Sequence, residues 1–293
     1  MVDFNQVLQV VVFGLVQGSV LAVGAVGLTL SYGVTRFINF AYGEFMTYSL
    51  YVVVFLTGAG VGVSVPLPVA AVIAVLLVGL LGVAVARVFF EPIADRGSLP
   101  LLITSIGVGF LLRYALQAWV GVDAKQLPVP LMRPVEVFGV GMTPVEAVVV
   151  GISAGSMLVI HGMLQWTMIG KKMRAISGNR DLAEVAGIDT DRIVRQTWFV
   201  SAGAAGLAGV LYGVLFSPFR PSVGFEYLIV VFAATLLGGI GRPYGAMLGA
   251  YLIALTMSFG SFYLAASYTR AYAFAVLVLV LLLRPEGIRG GEF

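Results

Sequence analysis

Cysteine is absent from the 293 residues, which excludes disulfides, thiol catalysis and cysteine-held metal. Charge is scarce: Asp, Glu, Lys and Arg make up 11% of the chain, under half of the roughly 25% usual in soluble domains. Histidine occurs once, as His161. No Gly-x-x-x-x-Gly-Lys-Ser/Thr run occurs, so the chain has no P-loop with which to hold ATP. No Ser/His/Asp or metal-ligand constellation stands at a workable spacing, which argues against an intramembrane enzyme and implies neither metal nor cofactor. The net charge of +3 does not point to nucleic acid, because no stretch interleaves many bases with aromatics.

What remains is apolar. Hydrophobic residues make up 60% of the chain and mean hydropathy is +1.02. Uncharged runs of about 20 residues recur, each long enough to cross a hydrocarbon core of roughly 30 Å as a helix. They lie near residues 7–30, 39–57, 66–88, 99–119, 144–166, 197–216, 227–241, 244–264 and 271–283. The expected fold is all-α: a polytopic integral membrane bundle of eight or nine transmembrane helices, read as one domain over 1–293. The second run opens in a polar motif and the seventh is short and ends in glycines, so both are candidates for broken or re-entrant helices. The first run lacks a basic leader and a small-residue cleavage site and is read as a retained span.

Orientation follows from the basic residues. Placing the 167–196 segment in the cytoplasm leaves Arg113, Lys125, Arg133, Arg220 and Arg270 outside, 5 of the 17 Lys and Arg, the asymmetry of the positive-inside rule. Nine spans then put the C-terminus inside, flanked by Arg284 and Arg289. The outer 120–143 segment is proline-rich and reads as an extended loop.

Small residues recur every fourth position as Ser201, Ala205, Gly209 and Gly213, as Gly241, Gly245 and Gly249, and as Gly14, Gly18 and Ala22. Such stripes let helix backbones approach closely where lipid removes the hydrophobic drive for association. Between the first two runs, Asn39 and Glu44 interrupt the apolar pattern. They hold either an inner gate at membrane depth or an ordinary cytoplasmic turn in which Asn39 caps the next helix. Thr143-Pro144-Val145-Glu146 has the form of a capping box. His161 is expected to make an interior hydrogen bond, and Arg113 to snorkel outward from the end of its span. No other acid falls within a run, so the usual proton carriers of secondary transporters are missing.

In the inner segment Asn179 is a good N-cap, Asp181 lies in the first helical turn and Gly187 suits a C′ position. A helix of about two turns is predicted, standing off the bundle. Leu182, Val185 and Ala186 share one face, while Ala183 and Gly187 leave a shallow spot for a partner. A helix so short needs something to hold it.

Taken together, Gly27-Leu28-Thr29-Leu30-Ser31-Tyr32-Gly33-Val34, Asn39-Phe40-Ala41-Tyr42-Gly43-Glu44-Phe45, Met173-Arg174-Ala175, Ala183 to Ile188, Ser201 to Gly209, Leu237-Gly238-Gly239-Ile240-Gly241 and Arg284-Pro285-Glu286-Gly287-Ile288 resemble the branched-chain amino-acid ABC importer permeases. The likeness covers nearly the whole chain and is strongest to the smaller of that family's two permease subunits. It implies a cell inner-membrane, multi-pass transport subunit without enzymatic activity of its own. Its implied partners are a second homologous permease, two ABC ATPases and an extracytoplasmic substrate-binding protein, with leucine, isoleucine and valine as solutes. It also implies that the segment from Asn179 through Asp181, Leu182, Ala183, Val185, Ala186 and Gly187 to Ile188 is a coupling helix seated in an ATPase groove; Asn39, Tyr42 and Glu44 are the residues expected at a pathway or gate. Tyr42 replaces the His common in the family's Asn-Phe-Ala-His-Gly signature, which removes a group titrating near neutral pH. Urea, short amides and other amino acids remain alternative solutes, and a stand-alone carrier or channel the alternative class.

Overall fold

The computed structural model describes residues 4–58, 64–130, 132–137 and 140–283; Arg284, Arg289 and the Arg284 to Ile288 motif lie outside them. Among the described residues there are α1 (Phe4–Thr35), α2 (Tyr42–Thr57), α3 (Leu67–Val85), α4 (Ser98–Val120), α5 (Pro144–Trp166), α6 (Met168–Gly178), α7 (Arg180–Val185), α8 (Thr190–Leu215), α9 (Val223–Gly238), α10 (Pro243–Tyr263) and α11 (Thr269–Leu283). A short hairpin, β1 (Val135–Val137) with β2 (Val140–Met142), closes the outer loop. The chain is a multi-pass membrane protein.

Each apolar run forms a helix. Among the described residues seven helical segments are long and apolar enough to cross a membrane, those of α1, α3, α4, α5, α8, α10 and α11. The other two, α2 and α9, have 16 residues each, about 24 Å at 1.5 Å per residue and short of a full crossing.

The depth of α2 follows from its contacts. At Arg36 α1 ends in the left-handed region, φ 57°, a helix-terminating conformation, and the Arg36 guanidinium holds the carbonyl of Ser177 at the end of α6. Residues 37–41 then return without helix into the bundle. Tyr42 donates its hydroxyl proton to the Gly24 carbonyl at 2.8 Å, a point eleven residues before α1 ends. Thus α2 starts part-way through the bilayer, beside the body of α1. Buried non-helical backbone is tolerated there because protein encloses it: Phe37, Asn39 and Ala41 are all buried.

Helices α1 and α8 are buried on most sides, while α5 and α11 expose most of theirs. Glycine sets the central spacings. A Cβ at Gly209 would collide with the Met46 carbonyl on α2, one at Gly224 with Gly43, one at Gly245 with Gly238, and one at Gly249 with Ala234. Gly18 packs on Tyr251, Ala205 is fully buried and Ser201 donates to the Gly27 carbonyl at 2.7 Å. Gly241 departs from its expected place. It lies in the turn ahead of α10 at φ 84°, where an added Cβ would meet only the Tyr32 ring at 3.8 Å, so its backbone freedom, not close helix approach, explains a glycine there.

The capping box at α5 is complete: Thr143 N–H donates to Glu146 Oε2 at 2.7 Å, and Glu146 N–H to Thr143 Oγ1 at 3.2 Å. His161 Nδ1 meets the Tyr244 hydroxyl at 2.5 Å, joining α5 to α10.

Candidate functional site

Two stations stand out, one at membrane depth and one on the cytoplasmic side. The first is built around the return segment. Asn39 Oδ1 accepts from Ala41 N–H at 3.0 Å, and Phe40 N–H donates to Ser105 Oγ at 3.1 Å, so the non-helical backbone is braced by its own side chain and by α4. Asn39 therefore closes a turn ahead of α2; the N-cap position is Ala41, which makes no side-chain cap.

Beneath α2 sits an aromatic block. The fully buried Trp198 of α8 stacks on Phe90 at 5.0 Å between ring centroids. Phe37 of the return segment lies 5.2 Å from Phe90, and Phe45 of α2 meets Trp198 edge-on at 6.5 Å. Four rings from α2, α8, the π-helical turn Ala86–Phe90 that follows α3, and the return segment thus pack as one unit.

Above the block is an ion pair. Glu44, in the first turn of α2, is fully buried. Its Oε1 accepts from Arg113 Nε at 3.0 Å and Nη2 at 2.5 Å. Arg113 does not snorkel outward as its position near the end of α4 suggested. Its side chain, 12% exposed, turns inward, because a carboxylate within reach offsets more than distant interfacial water would. The guanidinium also lies 4.3 Å over the Phe225 ring of α9, a cation–π contact. Alongside, Gly224 N–H donates to Thr47 Oγ1 at 3.1 Å, so the first turns of α2 and α9 meet at this depth.

The second station is α7. Asn179 ends α6 and caps α7, its Oδ1 accepting from Leu182 N–H at 3.0 Å. Gly187 adopts φ 81°, and Ile188 N–H closes onto the Ala183 carbonyl at 3.0 Å, a C-terminal capping geometry. Leu182 and Val185 are 66% and 86% exposed, an apolar face with nothing over it among the described residues, with Asp181 and Ala186 exposed beside it. Ala183 differs from the expectation: it is buried against the bundle, so the shallow outer spot reduces to Gly187, beside which space is open. Ala183 is the residue that fits α7 onto its own core, where only a small side chain was available.

Contacts tie the stations together. Arg180 bridges Glu184 at 3.1 Å and Asp191 at 3.4 Å, and Thr190 donates to Glu184 at 2.7 Å; Thr190 and Arg180 hold the Glu184 carboxyl below its usual range. Arg195 of α8 pairs with Glu91 at 2.7 Å, next to Phe90. Displacement of α7 therefore acts on the first turns of α8, eight residues before Trp198. Sequence reasoning missed this link, and the run of Phe37, Phe45, Phe90 and Trp198 could not reveal it because the four rings are scattered over 162 positions.

Residues 10–283 match the family model for the permease component of the branched-chain amino acid transport system. The chain is 31% identical over 298 residues to the high-affinity branched-chain amino acid transport system permease protein LivH of Escherichia coli K12, covering 98% of this chain and 97% of that one. It is 32% identical over 304 residues to the corresponding BraD of Pseudomonas aeruginosa, covering 99% and 98%. The ribose import permease protein RbsC of Escherichia coli K12 is 26% identical over 279 residues, covering 91% of this chain and 82% of its own.

Proposed function

Because the chain belongs to the branched-chain amino-acid transport permease family, being a permease subunit of an ABC importer and not an enzyme, we propose that it carries leucine, isoleucine and valine across the membrane. In this reading an extracytoplasmic binding protein delivers the solute, a second homologous permease completes the path and two ATPases drive it. The identity to LivH and BraD, both named for branched-chain amino acids, supports the solute class over sugars.

The single observation that carries the mechanism is α7: six residues, capped at both ends, with Leu182 and Val185 presented to the cytoplasm. A helix this short is marginal in water, and an exposed apolar face of this kind is accounted for by a groove that receives it. ATPase closure would press on Leu182, Val185 and Ala186, with Asn179, Asp181, Ala183, Gly187 and Ile188 keeping the helix formed and seated. Movement would pass through the base of α8 to Trp198, and from there to Phe37 and Phe45 on either side of Asn39, Tyr42 and Glu44. Those three residues are sealed inside the chain, 2%, 0% and 0% exposed, so their part is to hold the gate's shape, not to touch solute. The glycines at Gly18, Gly209, Gly245 and Gly249, with Ser201 and Ala205, supply the close helix contacts along which the bundle moves, and Gly241 the turn into α10.

The test is ATP-driven leucine uptake in vesicles carrying this chain together with two ABC ATPases, a second permease and a substrate-binding protein of the same family of importers. Val185→Asp should leave the chain inserted and abolish uptake, since a charge cannot enter an apolar groove without cost. Uptake by this chain alone, without ATPases, would overturn the reading.

A further inference from the structure

Arg113 lines a cavity of about 150 Å³ that it shares with Phe40, Ile106, Gly109, Phe110 and Phe225. The cavity lies between α4, the start of α9 and the return segment, seven residues or about 10 Å short of the outer end of α4. Its walls are apolar except for one guanidinium. Ile106 and Phe110 are 38% and 44% exposed, so the cavity opens on the outer face of this chain.

A charged side chain at this depth faces a bundle interior or a watered cavity, not lipid. Arg113 meets this condition inside the bundle through Glu44, with the partly exposed Ile106 and Phe110 at the cavity mouth. The arginine is also only partly used. Its hydrogen bonds to Glu44 run from Nε and Nη2, Phe225 covers one face, and the Nη1 edge makes none of them. Glu44 fixes the guanidinium plane through Nε and Nη2, so the remaining donors are pre-aimed. A fixed cation beside a small aromatic and aliphatic pocket is chemistry for a carboxylate attached to a compact apolar group. It is poor chemistry for a sugar, which needs many hydroxyl partners.

We propose that this cavity is a solute subsite in the translocation path, at which Arg113 Nη1 reads the carboxylate of an amino acid while Phe40, Ile106, Phe110 and Phe225 receive its apolar side chain. Glu44 is a positioning residue for Arg113. The inference rests on the permease reading and adds the place, the reading group and the requirement for a carboxylate.

The absence of native cysteine makes the test clean. Ile106→Cys and, separately, Phe110→Cys are introduced into the chain within the assembled importer, and labelling by a charged methanethiosulfonate is followed on this subunit by mass. Leu111→Cys, 55% exposed on a neighbouring face of α4, serves as the control. Both cavity thiols should label while the Leu111→Cys thiol does not. Leucine should slow labelling about tenfold, and leucinol, which keeps the side chain and ammonium but lacks the carboxylate, should not, as sites built around one polar group reject analogues without it. No labelling at either position, labelling unaffected by leucine, or equal protection by leucinol would each overturn the subsite. ATP-driven leucine uptake by the importer with the unsubstituted chain is measured in parallel. Its absence would defeat the permease reading itself, whereas uptake with unprotected thiols would defeat only the subsite.

Discussion

Glycine does opposite work at the centre of the bundle and at its cytoplasmic edge. At Gly209, Gly224, Gly238, Gly245 and Gly249 an added methyl would strike the backbone of a neighbouring helix, whereas at Gly187 it would meet nothing within 4 Å. The central glycines are there for distance, and Gly187 is there for its φ of 81°. In lipid, helices associate through close packing in place of the hydrophobic effect. Volume is thus the quantity under control in the centre. At α7 it is backbone direction, and the volume beside it is open.

The largest effect that could break this contrast is expected from Gly245→Leu or Gly209→Leu. Four added carbons have no route past Gly238 or Met46, so intact complex should be nearly lost, measured as detergent-stable assembly. Leu211→Ala, which removes volume from a buried site, should cost about 2–5 kcal/mol and leave complex detectable. Equal yields from all three variants would mean that these glycines do not set helix spacing.

Next comes the ion pair. Glu44→Ala leaves Arg113 without its carboxylate inside the bundle and should destabilise by about 3–5 kcal/mol, seen as a large drop in thermal midpoint. Glu44→Gln keeps an acceptor for Arg113 Nε and should be the milder change. If the two behave alike, the guanidinium is not held by Glu44.

The smallest effect on folding is expected at Gly187. Gly187→Ala should cost about 1 kcal/mol through its positive φ, and Gly187→Trp should remain inserted and folded because the space is open. The tryptophan variant should nevertheless lose solute-stimulated ATP hydrolysis, sharpening the comparison: bulk that the subunit tolerates, its partner does not. Normal coupled hydrolysis with Gly187→Trp would place the ATPase contact elsewhere.

The nine helical segments were legible in the sequence because charge is so scarce that each run stands out by length alone. The caps at Asn179 and Thr143 were legible too, since capping is a local matter of residue type and spacing. Depth was not. Asn39 to Glu44 reads equally well as a cytoplasmic turn and as a segment returning into the bundle, and the choice is made by Gly24 and Ser105, which lie far off in the chain. Arg113 misled for the same reason: its carboxylate partner is 69 positions away, so local hydropathy favoured the interface. On α7 one residue departed from the reading: Ala183, expected in an outward shallow spot, is buried, because a six-residue helix is placed by its neighbours and not by its own residue pattern.

Asn179 closes α6 and opens α7 with no residue between them, in an extended conformation at φ −153° and ψ 112°. Two rigid rods joined at one residue make a crank with a single pivot, and its arm is the length of α7, about 9 Å for six residues at 1.5 Å each. A 20° swing at that pivot carries Val185 through only about 3 Å. The stroke is short and no turn of either helix need melt to make it.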